Sequence, residues 1–197
     1  NRPQNILRTV LCSFTQRQIM SKIRIHDRQF SPYYSKDKIA DAVCLLAKKL
    51  KTDLKNEIPL FLAILNGSFI FAADFLRAFD GPCDISFIKL ASYQNTKSSG
   101  NVQELIGMNE DLDGRTVVIL EDIIDTGTTL QKIYDLLKEK PVKKIKVAAL
   151  FFKPDVYKKE LHLDYVGFPI PDEFIVGYGL DYNGLGRNLS SIYKLVN

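Results

Sequence analysis

Three strand-like segments dominated by apolar residues constrain the fold more than any other feature: PLFLAIL at 59–65, TVVILED at 116–122 and KIKVAALFF at 144–152. A strand with one wet face alternates apolar and polar residues. A continuous run is a strand buried on both faces, and such strands belong to parallel sheets covered by helices. The intervening segments have the required character. FIFAADFLRAF (69–79) has helical length and composition, and TTLQKIYDLLKEK (128–140) sets Leu130, Ile133, Leu136 and Leu137 on one face. Upstream, Ser35 can cap a helix in which Ile39, Val43, Leu46, Leu50 and Leu54 recur at helical spacing. Alternation of this kind predicts an α/β fold with a central parallel sheet flanked by helices. MSKIRIHDRQF reads as a first strand, CDISFIKLASY (83–93) as β-rich, and 164–168 and 173–179 as short strands. QNTKSSGN (94–101) reads as a loop.

A chain of 197 residues with these proportions forms one domain, expected over 20–197. Residues 1–19 hold three arginines and no acid, as transit peptides do. They are read instead as appended sequence ahead of a natural start at Met20. A net charge of +4 with scattered lysines permits an anionic ligand and does not call for nucleic acid. Cys12, Cys44 and Cys83 form no metal pattern and read as reduced thiols of a cytoplasmic protein. No run has the length of a membrane span.

The chemistry concentrates in VVILEDIIDTGTTL (117–130), where a buried strand runs into three acids and a hydroxyl-rich glycine turn. In open α/β sheets, ligands bind outside the carboxyl ends of the strands. The helix that follows presents unpaired N–H groups and the positive end of its dipole. Gly127 lets the backbone come close, and Thr126, Thr128 and Thr129 add hydroxyls, which together suit a phosphate monoester. Walker spacing and GxGxxG are both absent. Glu121 and Asp122 can accept bonds from vicinal hydroxyls such as those of a ribose. Asp125 stands between, available for proton transfer.

The stretch resembles the 5-phosphoribosyl-1-pyrophosphate (PRPP) motif of type I phosphoribosyltransferases. ILNGSFIFAADFL, SYQNTKSSG, VAALFFK and PDEFIVGYGLDYNGLGRNL are similar, in that order, to hypoxanthine-guanine phosphoribosyltransferases. The resemblance covers about residues 25–195. It implies the type I phosphoribosyltransferase fold with a small hood built from both chain ends. It implies transfer of phosphoribose from PRPP to hypoxanthine and guanine with Mg²⁺, giving IMP or GMP and pyrophosphate. Glu121 and Asp122 would hold the ribose and the metal, Asp125 would exchange the proton at N7, and residues 126–129 would bind the 5′-phosphate. Asn66 and Gly67 would form the pyrophosphate loop, entered by a cis peptide between Leu65 and Asn66. The family often has Lys where this chain has Asn66. Arg187 would reach pyrophosphate, and Asp181 would hold a second Mg²⁺ directly or indirectly.

For the base, the resemblance makes Lys153 the donor to the 6-oxo group, Phe174 the stacking ring and the Ile175 backbone the reader of the N1/C2 edge. Without the resemblance, Lys153 reads equally well as a surface lysine at a strand end, and Phe174 as core. Ser92 and Tyr93 would open a mobile loop that closes over the site. Family members form homodimers or homotetramers. Guanine- or xanthine-preferring relatives remain alternatives, because the C2 edge is read mostly by backbone. A regulator of the same fold that binds nucleic acid is the other-class alternative, and the scattered lysines and absence of an added domain count against it.

Overall fold

The computed structural model describes residues 21–90, 104–106 and 110–196. The N-terminal segment 1–19, Ser92 and Tyr93 lie outside the described residues.

The region read as one first strand is a hairpin. Strand β1 (Ile23–Ile25) turns at His26, whose φ is +51°, and returns as β2 (Arg28–Tyr34). Helix α1 (Lys36–Asp53) follows, and the Ser35 hydroxyl accepts from the Lys38 N–H at 3.3 Å, as its cap position predicts. Strand β3 (Leu60–Ile64) is buried throughout, and α2 (Phe69–Phe79) leads to β4 (Asp84–Leu90). A short β5 (Glu104–Ile106) precedes β6 (Thr116–Ile124). Helix α3 (Thr128–Lys138), β7 (Lys144–Phe152) and β8 (Tyr165–Pro169) complete the main layer. Of the stretch 173–179, only β9 (Ile175–Val176) is strand; the chain ends in β10 (Ile192–Leu195).

The main sheet has the order β5-β4-β3-β6-β7-β8. Strands β4, β3, β6, β7 and β8 are mutually parallel, and β5 is an antiparallel edge. The chain leaves β3 outward to β4, then returns to lay β6 on the other side of β3. Right-handed crossovers in opposite directions put their helices on opposite faces.

The side chains follow. Phe61 and Ala63 of β3 join Val118 and Leu120 of β6 under α1 and α2, where Phe71, Phe75 and Phe79 are buried. Leu60, Leu62 and Ile64 face the other way with Val117 and Ile119, under Leu130, Ile133 and Leu137 of α3. Leu136 is only half-buried.

A second sheet, order β1-β2-β10-β9, is antiparallel and joins both ends of the described chain. Its small core is Ile25, Phe30 and Val176. It carries β9 beside the carboxyl end of the parallel sheet, because β8 leads directly into the turn at 170–173, where the Ile170 N–H donates to Phe152 O at 2.8 Å. The stretch 173–179, read as a short strand, thus supplies two strand residues, and they belong to this second sheet.

Phe61 is fully buried, with edge-to-face contacts to Phe75 and Phe79 at 5.4 and 5.0 Å. Phe61→Ala removes that ring from the centre of the larger core. It is expected to destabilise the chain by about 3–5 kcal/mol in urea unfolding. A loss below about 1 kcal/mol would contradict this packing.

Candidate active site

Strand order reverses between β3 and β6, which opens a crevice at their carboxyl ends. Both candidate loops start there: Leu65–Ser68 after β3 and Asp125–Thr129 after β6.

The turn after β6 is shaped for an anion. Gly127 is the N-cap of α3 with φ +78°, and no side chain caps the helix. The threonines are therefore not spent on capping. Thr126, Thr128 and Thr129 are exposed, with the Thr126 and Thr128 hydroxyls 3.1 Å apart. They lie, with Glu121 and Asp125, along a cleft of about 90 Å³. Gly127 is needed twice over. Its φ is left-handed, and a Cβ there would meet the Tyr157 ring and stand 2.9 Å from Lys159 Cγ. Tyr157 and Lys159 thus cover the turn from the segment after β7. Sequence reasoning missed both, since only their distance in space to Gly127 marks them.

The expected strand end at Asp122 lies two residues too early. Strand β6 runs to Ile124, so Glu121 and Asp122 sit inside the sheet and are buried. Successive strand residues point to opposite faces. Glu121 accordingly lines the cleft with residues 123–130, whereas Asp122 faces the other loop, where a Cβ on Gly67 would overlap its carboxylate. Glu121 Oε2 is buried with no hydrogen-bond partner among the described residues. Burial, then the neighbouring Asp122, pushes the Glu121 carboxyl well above its ordinary range. Burial raises Asp122 to about 6, against the lowering pull of backbone N–H groups and Arg187. Two buried acids with this tension fit a ligand that brings hydroxyl donors or cationic charge.

The loop after β3 has the cis peptide implied by the resemblance, Leu65–Asn66. Asn66 is exposed, and Ser68 is buried with its hydroxyl donating to Ile64 O at 2.6 Å. Gly67 is sandwiched: Asp122 lies on one side, and a Cβ on Gly179 would overlap the Gly67 carbonyl on the other. Gly179 brings in the 177–187 segment. Arg187 donates to Gly179 O at 2.7 Å and pairs with Asp181 at 2.5 Å. Asp181 also accepts from the Gly184 N–H at 2.7 Å. Asn66, Gly67, Asp122, Asp181 and Arg187 therefore converge at one end of the crevice.

At the other end, Lys153 is only 6% exposed, which overturns the surface-lysine reading. Its ammonium donates to Asp172 at 2.9 Å and stands 3.5 Å from Asp125. Phe174 is 46% exposed and is not core; its ring meets Tyr182 edge-on at 5.8 Å. The side chain of Ile175 is buried in β9. Asp172, like Tyr157, carries no motif signal of its own.

The chain matches the phosphoribosyl transferase domain family over residues 31–183. It is 38% identical over 152 residues to the hypoxanthine-guanine phosphoribosyltransferase of Aquifex aeolicus, covering 76% of this chain and 85% of that protein. The chain belongs to the hypoxanthine-guanine phosphoribosyltransferase family. A hypoxanthine-guanine phosphoribosyltransferase structure from Bacillus anthracis superimposes with a TM-score of 0.79 at 38% identity, covering 84% of this chain and 98% of that one. A hypoxanthine phosphoribosyltransferase from Staphylococcus aureus gives 0.79 at 35% identity, with 84% and 91% covered. The bifunctional protein TilS/HprT of Listeria monocytogenes is 39% identical over 80% of this chain, which spans only 24% of that longer protein. The phosphoribosyltransferase match contains both crevice loops and Lys153, Asp172, Phe174 and Asp181. Arg187 lies just beyond it.

Asp122 offers a check on the buried charge. Its folded value of about 6 lies above the ordinary 3.8, so protonation favours the folded chain. The contribution is fully present below about 4 and is lost as the pH rises through about 6, a change of roughly 3 kcal/mol. Asp122→Asn carries no charge to bury. Its stability relative to wild type, from urea unfolding without ligands, should improve by that order between pH 4 and pH 8. A difference independent of pH would show that Asp122 is not held this way.

Proposed function

We propose that the chain transfers the 5-phosphoribosyl group of PRPP to N9 of hypoxanthine or guanine, releasing pyrophosphate and forming IMP or GMP. The observation that carries this reading is the crevice itself. It gathers a hydroxyl-rich anion turn, two buried carboxylates and a Lys–Asp pair around the switch point. PRPP has a phosphate, a diol and a reacting carbon in that order, and the base follows.

In this reading the 5′-phosphate takes the N–H groups and hydroxyls of 126–129. Glu121 accepts from the ribose hydroxyls, which gives its buried Oε2 a donor. Asp122 stands between the ribose and Gly67. The C1–pyrophosphate bond breaks as the purine N9 attacks, and cationic charge develops on the ribose ring. The carboxylates below stabilise that charge. Asp125, exposed at the strand end, takes or gives the proton at N7. Lys153 donates to the 6-oxo group, and Phe174 stacks on the ring. Adenine offers an amino group at that position, and the donor would be left unpaired.

The donor set suits Mg²⁺ only together with substrate. No group of three or more metal-ligating side chains lies together among the described residues. Asp122 and Glu121 would supply carboxylates and PRPP the remaining oxygens. Asp181 is already engaged by Arg187, so its part would be indirect. When bound, Mg²⁺ would offset charge on the leaving pyrophosphate. Arg187 would reach that group by exchanging its bond to Gly179 O for a phosphate oxygen. With Asn66 where the family often has Lys, backbone N–H groups carry more of the contact.

A product assay with PRPP and Mg²⁺ tests the reading, offering hypoxanthine, guanine, xanthine and adenine separately. Turnover of 6-oxopurines without turnover of adenine is expected. No turnover with any base would overturn it. Asp125→Ala should lower kcat by about 10²–10⁴-fold, with the KM for PRPP little changed. Near-normal kcat would remove Asp125 from the proton transfer.

A further inference from the structure

Lys153 is fixed before any base arrives. Its N–H donates to Ile124 O at 2.9 Å, and its carbonyl accepts from the Tyr157 N–H at 3.2 Å. The stem is buried, so only the ammonium has freedom. That ammonium has three protons. One goes to Asp172 at 2.9 Å and one points to Asp125 at 3.5 Å. The third is left for an acceptor in the crevice.

We propose that Asp172 is a positioning residue for base selection: it holds the Lys153 ammonium away from Asp125 and aims its remaining N–H at the 6-oxo oxygen. The inference rests on the proposed transfer to 6-oxopurines. Asp172 is placed for this by the turn after β8 and its ties to neighbouring strands. The turn that carries it is pinned by the Ile170 N–H to Phe152 O, the residue preceding Lys153, at 2.8 Å. The next residue, Glu173, is paired with Lys194 of β10 at 3.1 Å. Asp172, Glu173 and Phe174 are thus tied to the end of β7 on one side and to β10 on the other. The same short segment carries the partner of the Lys153 ammonium and the exposed Phe174 ring.

Asp172 also protects Asp125. Removing it leaves Lys153 one carboxylate to bind, and the ammonium closes on the group reserved for N7. The Asp172 side chain is 62% exposed. An ion pair that open contributes little to folding, so its value lies in direction.

The test compares wild type, Asp172→Ala and Asp172→Asn, with steady-state kinetics in both substrates. Asp172→Ala should raise the KM for hypoxanthine about tenfold, as loss of a charge-assisted bond does. It should leave the KM for PRPP within about twofold and the melting temperature unchanged, and it should lower kcat. Asp172→Asn keeps an acceptor oxygen but not the charge. It should recover most of the KM for hypoxanthine while kcat stays low. A purely structural role would move both KM values and the melting temperature together, and that result would overturn the proposal. So would an unchanged KM for hypoxanthine in Asp172→Ala. Absence of 6-oxopurine turnover in wild type itself would overturn the parent reading and this one with it, whereas normal wild-type turnover with silent variants removes only Asp172.

Discussion

The pairing of β3 with β6 is the constraint on which the ligand end of this molecule depends. These strands are not consecutive in the chain. They come together because the path leaves β3 in one direction and returns on the other side. The connecting helices then lie on opposite faces, and neither covers the ends of the two central strands. The gap that remains is bounded by Leu65–Ser68 and Asp125–Thr129. A sheet that wound in one direction throughout would carry its helices on one face and would have no switch point at which such a gap opens.

Within that gap, close backbone approach does the work that side chains do elsewhere. Gly67 lies against Asp122, and Gly179 against Gly67. The 177–187 segment is thereby drawn down onto the loop after β3, with Arg187 and Asp181 attached. A side chain at either glycine would force the layers apart. The closeness has an electrostatic consequence. It seals Asp122 from water, and Arg187 compensates only part of the resulting rise. Glu121 on the other face has no compensation of this kind. The site keeps two acids under tension in its interior and two tethered groups, Arg187 and Lys153, near its ends.

What could be read in advance followed from local rules. Ser35 capped its helix, and α2 spans the expected residues because its apolar spacing is strong. The exposed threonine turn at the start of α3 was legible because Asp125 to Thr129 are contiguous, so composition and spacing sit in one window. The hairpin at 23–34 was not, because its turn is made at His26 rather than at a Gly or Asn that would have signalled it. Lys153 was ambiguous on a strand end, since a buried and an exposed lysine look alike without neighbours. Asp172 and Tyr157 were invisible, as each acts through a residue 19 or more positions away or, for Tyr157, across to Gly127.

The sequence by itself determined the layers: which runs are strands buried on both faces, which segments are amphipathic helices, and where the hydroxyl-rich glycine turn opens a helix. Layering and turn composition depend on neighbours within a few residues, and periodicity and glycine position record them. Tertiary structure alone decided the rest. It assigned Glu121 and Asp122 to different faces, tied Arg187 to Asp181, and placed Lys153 between two carboxylates. It also joined β9, from the 173–179 segment, to the two ends of the described chain in a second sheet. These outcomes depend on which strands lie side by side and how closely their backbones approach, and no window along the chain contains that information.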